Sequence, residues 1–175
     1  MLQEPTIYWI SGPPAAGKST LCQAVLARFE FGFHLAVDDL RTWVVSGLSE
    51  SVPWTEETER QFQIAEAAAC DVAKRYQDAG FHVAIDHCRN LRTLERAIET
   101  HLSGRRVVKI CLMPELEANL ERNTTRTNKP FGPELLVDTI IWTNTNYRKE
   151  IPEGWIVIDN TEMSVGQTVD RVLSV

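Results

Sequence analysis

The sequence lacks the features that mark disulfide-stapled, secreted or membrane-spanning chains. Its four cysteines, Cys22, Cys70, Cys88 and Cys111, lie far apart, with no CxxC pair and no matched histidine spacing. We therefore expect reduced, mostly buried thiols. No run of 18 apolar residues is present, and the N-terminus lacks the basic region and long apolar segment of a signal peptide. These absences predict a cytoplasmic protein that does not enter a membrane.

Positive charge is also scarce. Lysine and arginine total 18 against 24 aspartates and glutamates, which gives a net charge of −6. A broad basic face for long nucleic acid is therefore not expected, although a local arginine cluster remains compatible with the composition. No Gly/Ser linker, internal repeat or low-complexity tract divides the 175 residues. We expect one domain over residues 1–175, with no obligate protein partner.

Short apolar runs alternate with longer amphipathic ones along the chain. Strands that alternate with helices of ten or more residues indicate a parallel sheet covered on both faces. The sequence thus predicts an α/β fold of three layers, with about five parallel strands. The predicted strands are Ile7–Ile10, Phe31–Val37, Phe81–Ile85, Val107–Leu112 and Trp155–Ile158, and the predicted helices are Lys18–Phe29, Asp38 to about Gly47, Glu56–Tyr76, Leu91–Leu102, Pro114 through Arg122, Leu135–Tyr147 and Val165–Leu173.

Residues 12–19 read Gly-Pro-Pro-Ala-Ala-Gly-Lys-Ser and match the pattern GxxxxGK[ST] without a gap. The segment follows a predicted strand and opens a predicted helix, which is the context that this phosphate-binding motif requires. Glycine lets backbone N–H groups turn inward around phosphate oxygens, and the helix N-terminus adds positive potential. The predicted phosphate-binding residues are Gly12, Pro13, Pro14, Ala15, Ala16, Gly17, Lys18, Ser19 and Thr20.

Lysine and serine in this motif have distinct chemical tasks. Lys18 supplies a point charge for the β and γ phosphates of ATP, and the Ser19 hydroxyl is the expected ligand of Mg²⁺. The motif does not distinguish a switch, a motor and a kinase, but 175 residues suit a small phosphotransferase best. A nucleotide-binding regulatory module that hydrolyses slowly or not at all stays open as an alternative.

Two acidic positions follow predicted strands at the expected catalytic edge of the sheet. Asp38 follows the second strand, where a carboxylate can hold an acceptor hydroxyl and take its proton during phosphoryl transfer. Arg41 lies one helical turn further and is predicted to contact the acceptor. Asp86 ends the third strand and is predicted to hold the acceptor or to orient the water shell of Mg²⁺. Either aspartate could instead cap a helix.

A third element combines two arginines with a loop. Arg122 and Arg126 are four residues apart, so on a continuing helix they share one face. Pro130, Gly132 and Pro133 then indicate a hinge or turn. We predict a small helical lid at about residues 122–133, whose arginines bind the nucleotide phosphates and, through Arg126, stabilise the transferring phosphoryl group. An exposed charged helix end is the alternative.

Together these motifs resemble the 5′-hydroxyl polynucleotide kinases, within the wider group that includes gluconate, shikimate and chloramphenicol phosphotransferases. The resemblance covers the order and spacing of motifs from Ile7 to Ile158. It implies a P-loop nucleoside-triphosphate hydrolase fold of the kinase type. By the same resemblance, Lys18 and Ser19 bind ATP and Mg²⁺, and Asp38 is the general base.

The acceptor is the part of the reaction that the sequence leaves open. The resemblance favours the 5′-hydroxyl of a nucleic acid or nucleotide, with Arg41 on an acceptor phosphate and Arg126 on the donor phosphates. A hydroxyl of a small metabolite or antibiotic is the alternative. Trp43 and Trp54 lie in the segment that should shape the acceptor pocket, where they could stack on a base or pack in the core.

Overall fold

The computed structural model describes residues 4–125 and 132–175, and within them the chain forms five strands and seven α-helices. A 3₁₀ turn, Pro133–Leu136, precedes the sixth helix. The strands are β1 (Ile7–Ser11), β2 (Gly32–Ala36), β3 (His82–Asp86), β4 (Val107–Leu112) and β5 (Trp155–Ile158), and the helices are α1 (Lys18–Leu26), α2 (Val37–Thr42), α3 (Glu56–Asp78), α4 (Leu91–His101), α5 (Leu116–Thr124), α6 (Val137–Tyr147) and α7 (Val165–Leu173).

The five strands form one sheet in the order β2-β3-β1-β4-β5, and every neighbouring pair is parallel. Strands β1 and β3 are buried along their whole length. Successive side chains of a strand point to opposite faces, so a central strand of this kind needs apolar residues at both parities. Ile7 and Trp9 supply one face, and Tyr8 and Ile10 supply the other.

Helices cover both faces of the sheet. Helix α1 packs on the face of Tyr8 and Ile10 through residues such as Leu21 and Val25, and α7 joins it there. The long helix α3 lies on the opposite face, where its small residues let it approach Trp9 and Ile85 closely. Helix α4 packs on that same face. The predicted three-layer α/β architecture with about five parallel strands is confirmed.

The strand register brings the ends of β1, β2 and β3 together. Ile10 and Ala36 both pair with Asp86, from opposite sides of β3. The loop after β1, the start of α2 and the end of β3 therefore lie side by side. This edge of the sheet is where ligands bind in open parallel sheets.

Helix α2 is the clearest departure from the sequence prediction. We expected a helix from Asp38 to about Gly47, whereas α2 ends at Thr42. Trp43, Val44 and Val45 are all exposed, so no apolar face holds a longer helix against the core. Gly47 then adopts a left-handed backbone, with φ of 80°.

A smaller difference concerns the start of α5. The predicted helix begins at Pro114, but α5 begins at Leu116.

All four cysteines are free thiols, three of them buried. Among the helices of residues 4–125 and 132–175, none combines the length and apolar character needed to span a bilayer.

Candidate functional site

The loop between β1 and α1 has the backbone shape that its glycines require. Gly12 has φ of 143°, and a Cβ atom added there would clash with the carbonyl oxygen of Leu112 on the neighbouring strand. Gly17 has φ of 95° at the N-cap of α1, a left-handed conformation in which side chains are strained. Both glycines of the motif are thus needed for the turn itself.

Two buried asparagines hold this loop in place. Nδ2 of Asn119, on α5, donates to the carbonyl oxygen of Pro14 at 2.7 Å. Nδ2 of Asn160, after β5, donates to the carbonyl oxygen of Ala16 at 3.0 Å. Asn119 and Asn160 are at most 7% exposed. Sequence reasoning missed Asn119, although a polar residue on the buried side of a helix was a signal for it.

The N-terminus of α1 is open towards the loop. The first bond of the helix runs from the N–H of Leu21 to the carbonyl of Gly17, so the N–H groups of Lys18, Ser19 and Thr20 precede the helical ladder. Gly17 offers no side-chain cap. Nζ of Lys18 reaches back to the carbonyl oxygen of Pro13 at 2.9 Å, across the loop. Inward N–H groups, a helix N-terminus and an ammonium group fit a polyphosphate.

Ser19 and Asp86 are brought together from α1 and β3. The Ser19 hydroxyl donates a hydrogen bond to Oδ2 of Asp86. Burial raises the pKa of the Asp86 carboxyl, but the nearby His34 ring, Lys18 ammonium and Ser19 hydroxyl outweigh it and hold that pKa below its ordinary value. A hydroxyl and a carboxylate side by side supply the oxygen ligands that Mg²⁺ prefers. These two residues therefore fit the predicted metal position.

Neither predicted aspartate serves as the N-cap of a helix in the structure. Helix α4 is capped by Asn90, whose Oδ1 accepts from the N–H of Arg92 at 2.9 Å. Helix α2 has Ala36 at its N-cap. Asp38 is the second residue of this helix, and its side chain is exposed. The negative charge of Asp38 acts on the Arg41 guanidinium of the same helix and on the Cys88 thiol, two residues after β3.

Arg41 is buried, although it was predicted to contact an acceptor. Its Nη1 donates to the Ser51 hydroxyl at 3.0 Å and its Nη2 to the carbonyl oxygen of Ser49 at 2.6 Å. The guanidinium lies 3.8 Å from the ring centre of Phe62. Burial lowers the pKa of Arg41, while the Asp38 carboxylate acts in the opposite direction. Arg41 therefore holds the loop after α2 against α3.

A second arginine lies beside the first and was missed by sequence reasoning. Nη1 and Nη2 of Arg89 donate to the two carboxylate oxygens of Glu59 at 3.1 and 2.7 Å. Nε of Arg89 lies 3.1 Å from Oε1 of Glu66, and that oxygen is also 3.0 Å from Nε2 of His87. The Arg89 hydrogen bonds lower the pKa of Glu59 despite partial burial.

Aromatic rings complete this side of the site. Trp54 stacks on Phe62 with ring centres 5.0 Å apart and planes 9° from parallel. The Arg89 guanidinium lies 5.0 Å from the Trp54 ring centre, so the indole packs on Arg89. The signal in the sequence was the spacing of Glu59, Phe62 and Glu66, which puts charges and an aromatic ring on one face of α3.

The structure describes only the flanks of the predicted lid. Nη2 of Arg122 donates to the carbonyl oxygens of Asn160 and Thr161 at 2.8 and 2.9 Å, which ties α5 to the loop after β5. Nδ2 of Asn123 donates to the carbonyl oxygen of Pro133 at 2.7 Å and joins the two flanks. Arg126 lies outside the described residues, and its predicted role stays a prediction.

Residues 6–165 match the family described as chloramphenicol phosphotransferase-like protein. Comparison of the sequence with curated proteins gives no match. The fold is similar to that of a gluconokinase from Sinorhizobium meliloti, with 20% identity, a TM-score of 0.67 and coverage of 98% of this chain and 91% of that chain.

Two further solved structures show the range of proteins that share the fold. The tunicamycin resistance protein of Deinococcus radiodurans has a TM-score of 0.67 at 15% identity, over 97% of this chain and 94% of that chain. A chain of the Pnkp1/Rnl/Hen1 RNA repair complex has a TM-score of 0.60 at 22% identity, over 85% of this chain but 46% of its own length. At these sequence identities, the structural similarity shows a shared fold and does not assign a substrate.

Proposed function

The chain belongs to the chloramphenicol phosphotransferase-like protein family and is therefore a kinase of the P-loop type, and we propose that it transfers the γ-phosphate of ATP to a hydroxyl group of a small molecule that carries no phosphate. The donor half of this proposal follows from the phosphate loop. The acceptor half is supported by the hydrogen bonds and ion pairs that Arg41 and Arg89 already make.

On the donor side, the N–H groups at the start of α1 and the Lys18 ammonium bind the phosphates of ATP. Lys18 leaves the carbonyl oxygen of Pro13 and turns to the β and γ phosphates. Ser19 and Asp86 would hold Mg²⁺, which would neutralise negative charge on the phosphates. Asn119 and Asn160 keep the loop in shape while the phosphates are held.

On the acceptor side, Asp38 accepts the proton of the attacking hydroxyl. Its exposed carboxylate is free of the capping role in α2, and it lies at the edge of the sheet that also carries Asp86. A carboxylate so placed orients the hydroxyl and removes its proton as the new phosphoester bond forms. This assignment makes Asp38 the general base.

The observation that carries the acceptor proposal is the bonding of Arg41 and Arg89. Both terminal nitrogens of Arg41 donate to the backbone or hydroxyl of the loop after α2. Both terminal nitrogens of Arg89 donate to Glu59, and its Nε lies against Glu66. Neither guanidinium presents the free fork that binds a phosphate in a bidentate manner.

The charge balance around these arginines points in the same direction. Two cations, Arg41 and Arg89, face four carboxylates: Asp38 and Glu50 act on Arg41, while Glu59 and Glu66 contact Arg89. An acidic surplus repels an acceptor that carries a phosphate and tolerates a neutral or cationic one. The net charge of −6 agrees with this local balance.

The 5′-hydroxyl of an oligonucleotide or nucleotide is the second candidate acceptor. The exposed indoles of Trp43 and Trp54 favour it, because 72% of Trp43 and 48% of Trp54 are accessible and indole rings stack on bases. Against it stands the pairing of both arginines, which leaves the phosphate groups of such an acceptor without an evident partner among the described residues.

A competition between acceptor classes tests the proposal. The purified chain is incubated with ATP and Mg²⁺ and, in separate reactions, chloramphenicol, gluconate, shikimate, a nucleoside monophosphate or a 5′-hydroxyl oligonucleotide. Mass spectrometry then identifies which molecule gains a phosphate. We expect transfer to an uncharged hydroxyl compound such as chloramphenicol, and none to the oligonucleotide. Phosphorylation of the oligonucleotide alone, with a loss of rate in Asp38→Asn, would establish the second candidate instead.

A further inference from the structure

Three side chains of different chemistry meet behind the phosphate loop. Cys22 lies one turn along α1 from Lys18, His34 lies on β2, and Asp86 ends β3. The thiol sulfur, an imidazole nitrogen and a carboxylate oxygen of these residues all lie within 4.8 Å of one another. Nε2 of His34 is 3.7 Å from Oδ2 of Asp86.

Phosphoryl transfer with Mg²⁺ gives a role to only one of these three residues, Asp86. Mg²⁺ takes oxygen ligands, so Asp86 and Ser19 suffice for it, and neither a thiol nor an imidazole contributes. Nε2 of His34 is nevertheless buried without a hydrogen-bond partner within residues 4–125 and 132–175. Cys22 is fully buried, with its sulfur turned to the other two groups. A sulfur, a nitrogen and an oxygen form the donor set that zinc accepts.

The spacing of the three atoms is close to that of a zinc site. Bonds of about 2.3 Å to sulfur and about 2.1 Å to nitrogen or oxygen put tetrahedral ligands about 3.5 Å apart. The pair His34 and Asp86 is already near that value at 3.7 Å. Small rotations of the side chains bring the third atom within reach. The His34 side chain is 22% exposed, although its Nε2 atom is buried.

We propose that Cys22, His34 and Asp86 bind a zinc ion, with water in the fourth position, and that this ion inhibits the kinase. Asp86 cannot serve both metals, because a zinc-bound carboxylate is withdrawn from Ser19 and from the Mg²⁺ position. Zinc and the magnesium nucleotide therefore exclude one another. Zinc binds the thiolate form of cysteine, so its binding must displace the proton of the Cys22 thiol.

Cobalt reports on the proposed site without any measurement of activity. Co²⁺ is titrated into the purified full-length chain in the absence of nucleotide, and the near-ultraviolet absorption of a cobalt–thiolate bond is recorded. We expect a band that saturates at one equivalent and disappears when Zn²⁺ is added. Cys22→Ala should abolish the band, whereas Cys88→Ala, which removes the most exposed thiol of the chain, should retain it.

The inhibitory role is tested by the same variants in the presence of Mg²⁺ and ATP. We expect Zn²⁺ to inhibit the wild-type chain, and a chelator to restore activity. In Cys22→Ala the inhibiting concentration should rise at least about tenfold, the lower end of the loss caused even by changes outside the ligand shell. Should Cys22→Ala fail to fold, His34→Gln gives the same comparison from a partly exposed position. Absence of the cobalt band in folded wild-type protein, its survival in Cys22→Ala, or equal inhibition of both proteins would each overturn the proposal.

Discussion

The Ser19 hydroxyl donates to the Asp86 carboxylate although 67 residues separate them in the chain. Ser19 is placed by the N-terminus of α1, and Asp86 by the parallel register of β3 with β1 and β2. This one contact joins the N-terminus of α1 to the end of β3. The neighbouring His34 ring, Lys18 ammonium and Ser19 hydroxyl together outweigh burial and lower the pKa of the Asp86 carboxyl.

The first prediction concerns the dependence of stability on pH. Because the folded-state pKa of Asp86 lies below its ordinary value, the unfolded chain binds a proton more readily than the folded one. The contribution of Asp86 to stability is therefore complete above the ordinary aspartate range, about 4, and is lost as the pH falls towards the folded-state pKa. Asp86→Asn should flatten the acid-side decline of the unfolding free energy, as measured by urea titration.

Asp170 supplies the control for this experiment. It is 70% exposed in its pair with Arg28, so Asp170→Asn removes the same charge without a buried partner. A decline in Asp86→Asn as steep as that of the wild type would show that other carboxylates set the acid limit.

The second prediction concerns the phosphate loop. Lys18→Ala removes the ammonium that crosses the loop to Pro13, and turnover should fall by about 10²-fold or more, the effect of deleting one preorganised charge at a transition state. ATP affinity should fall too if Lys18 binds the phosphates in the ground state, as we propose. Calorimetric titration with ATP and circular dichroism check both points. Unchanged affinity in a folded variant would remove Lys18 from the nucleotide site.

The third prediction separates the two aspartates of α2. Asp38→Asn and Asp39→Asn remove the same charge from adjacent exposed positions of one helical turn. Asp38→Asn should lower turnover by about 10²-fold or more while ATP affinity holds, because only the base is lost. Asp39→Asn should keep turnover near that of the wild type. Both substitutions are measured in steady-state assays with the best acceptor. Equal effects would show that Asp38 acts only through its negative charge and not as the general base.

The sequence was sufficient for the parts of the fold that depend on local signals. Strands β4 and β5 and helix α7 have the predicted bounds, since their apolar runs are short and flanked by turns. The phosphate loop was predictable for the same reason, because its glycines, lysine and serine are contiguous. The edge position of Asp86 followed from the parallel sheet alone.

The acceptor side could not be predicted in this way, because its contacts join distant segments. Arg89 meets Glu59 across 30 residues, and His87 meets Glu66 across 21. Asn119 reaches Pro14 across 105. No local pattern pairs such residues. The motif resemblance therefore favoured a 5′-hydroxyl acceptor, whereas the hydrogen bonds of Arg41 and Arg89 support our proposal of an acceptor without phosphate.

The fourth prediction concerns the lid. Arg126→Ala should lower turnover more than it weakens binding of ATP, because its charge is needed most as the phosphoryl group is transferred. Hydrogen exchange across residues 123–133 should slow when a bisubstrate analogue binds. Arg105→Ala is the control, since Arg105 pairs with Asp78 at the opposite end of α3 from the site. Equal losses in kcat and in ATP affinity, with unchanged exchange, would exclude a closing lid.

The fifth prediction compares two glutamate–arginine pairs that share helix α3. Glu66 is 3% exposed and contacts both His87 and Arg89, whereas Glu57 and its partner Arg60 have side chains 46% and 63% exposed. Glu66→Ala leaves a buried arginine and imidazole without their shared carboxylate. Removing one partner of a buried ion pair costs about 3–5 kcal/mol when the other charge is left unpaired, and we expect a smaller loss by urea unfolding because Arg89 keeps Glu59. Glu57→Ala should change stability far less, because water replaces its partner.

Activity distinguishes a local role of Glu66 from a purely structural one. Glu66→Gln keeps the shape and one hydrogen-bond acceptor, so it should recover most of the stability lost in Glu66→Ala. If Glu66 positions Arg89 beside the acceptor, Glu66→Gln should still raise the KM for the acceptor while the KM for ATP holds, since the Lys18 side of the site is untouched. A parallel rise of both KM values, or equal destabilisation by Glu57→Ala and Glu66→Ala, would mean that the buried pair does not organise the acceptor side.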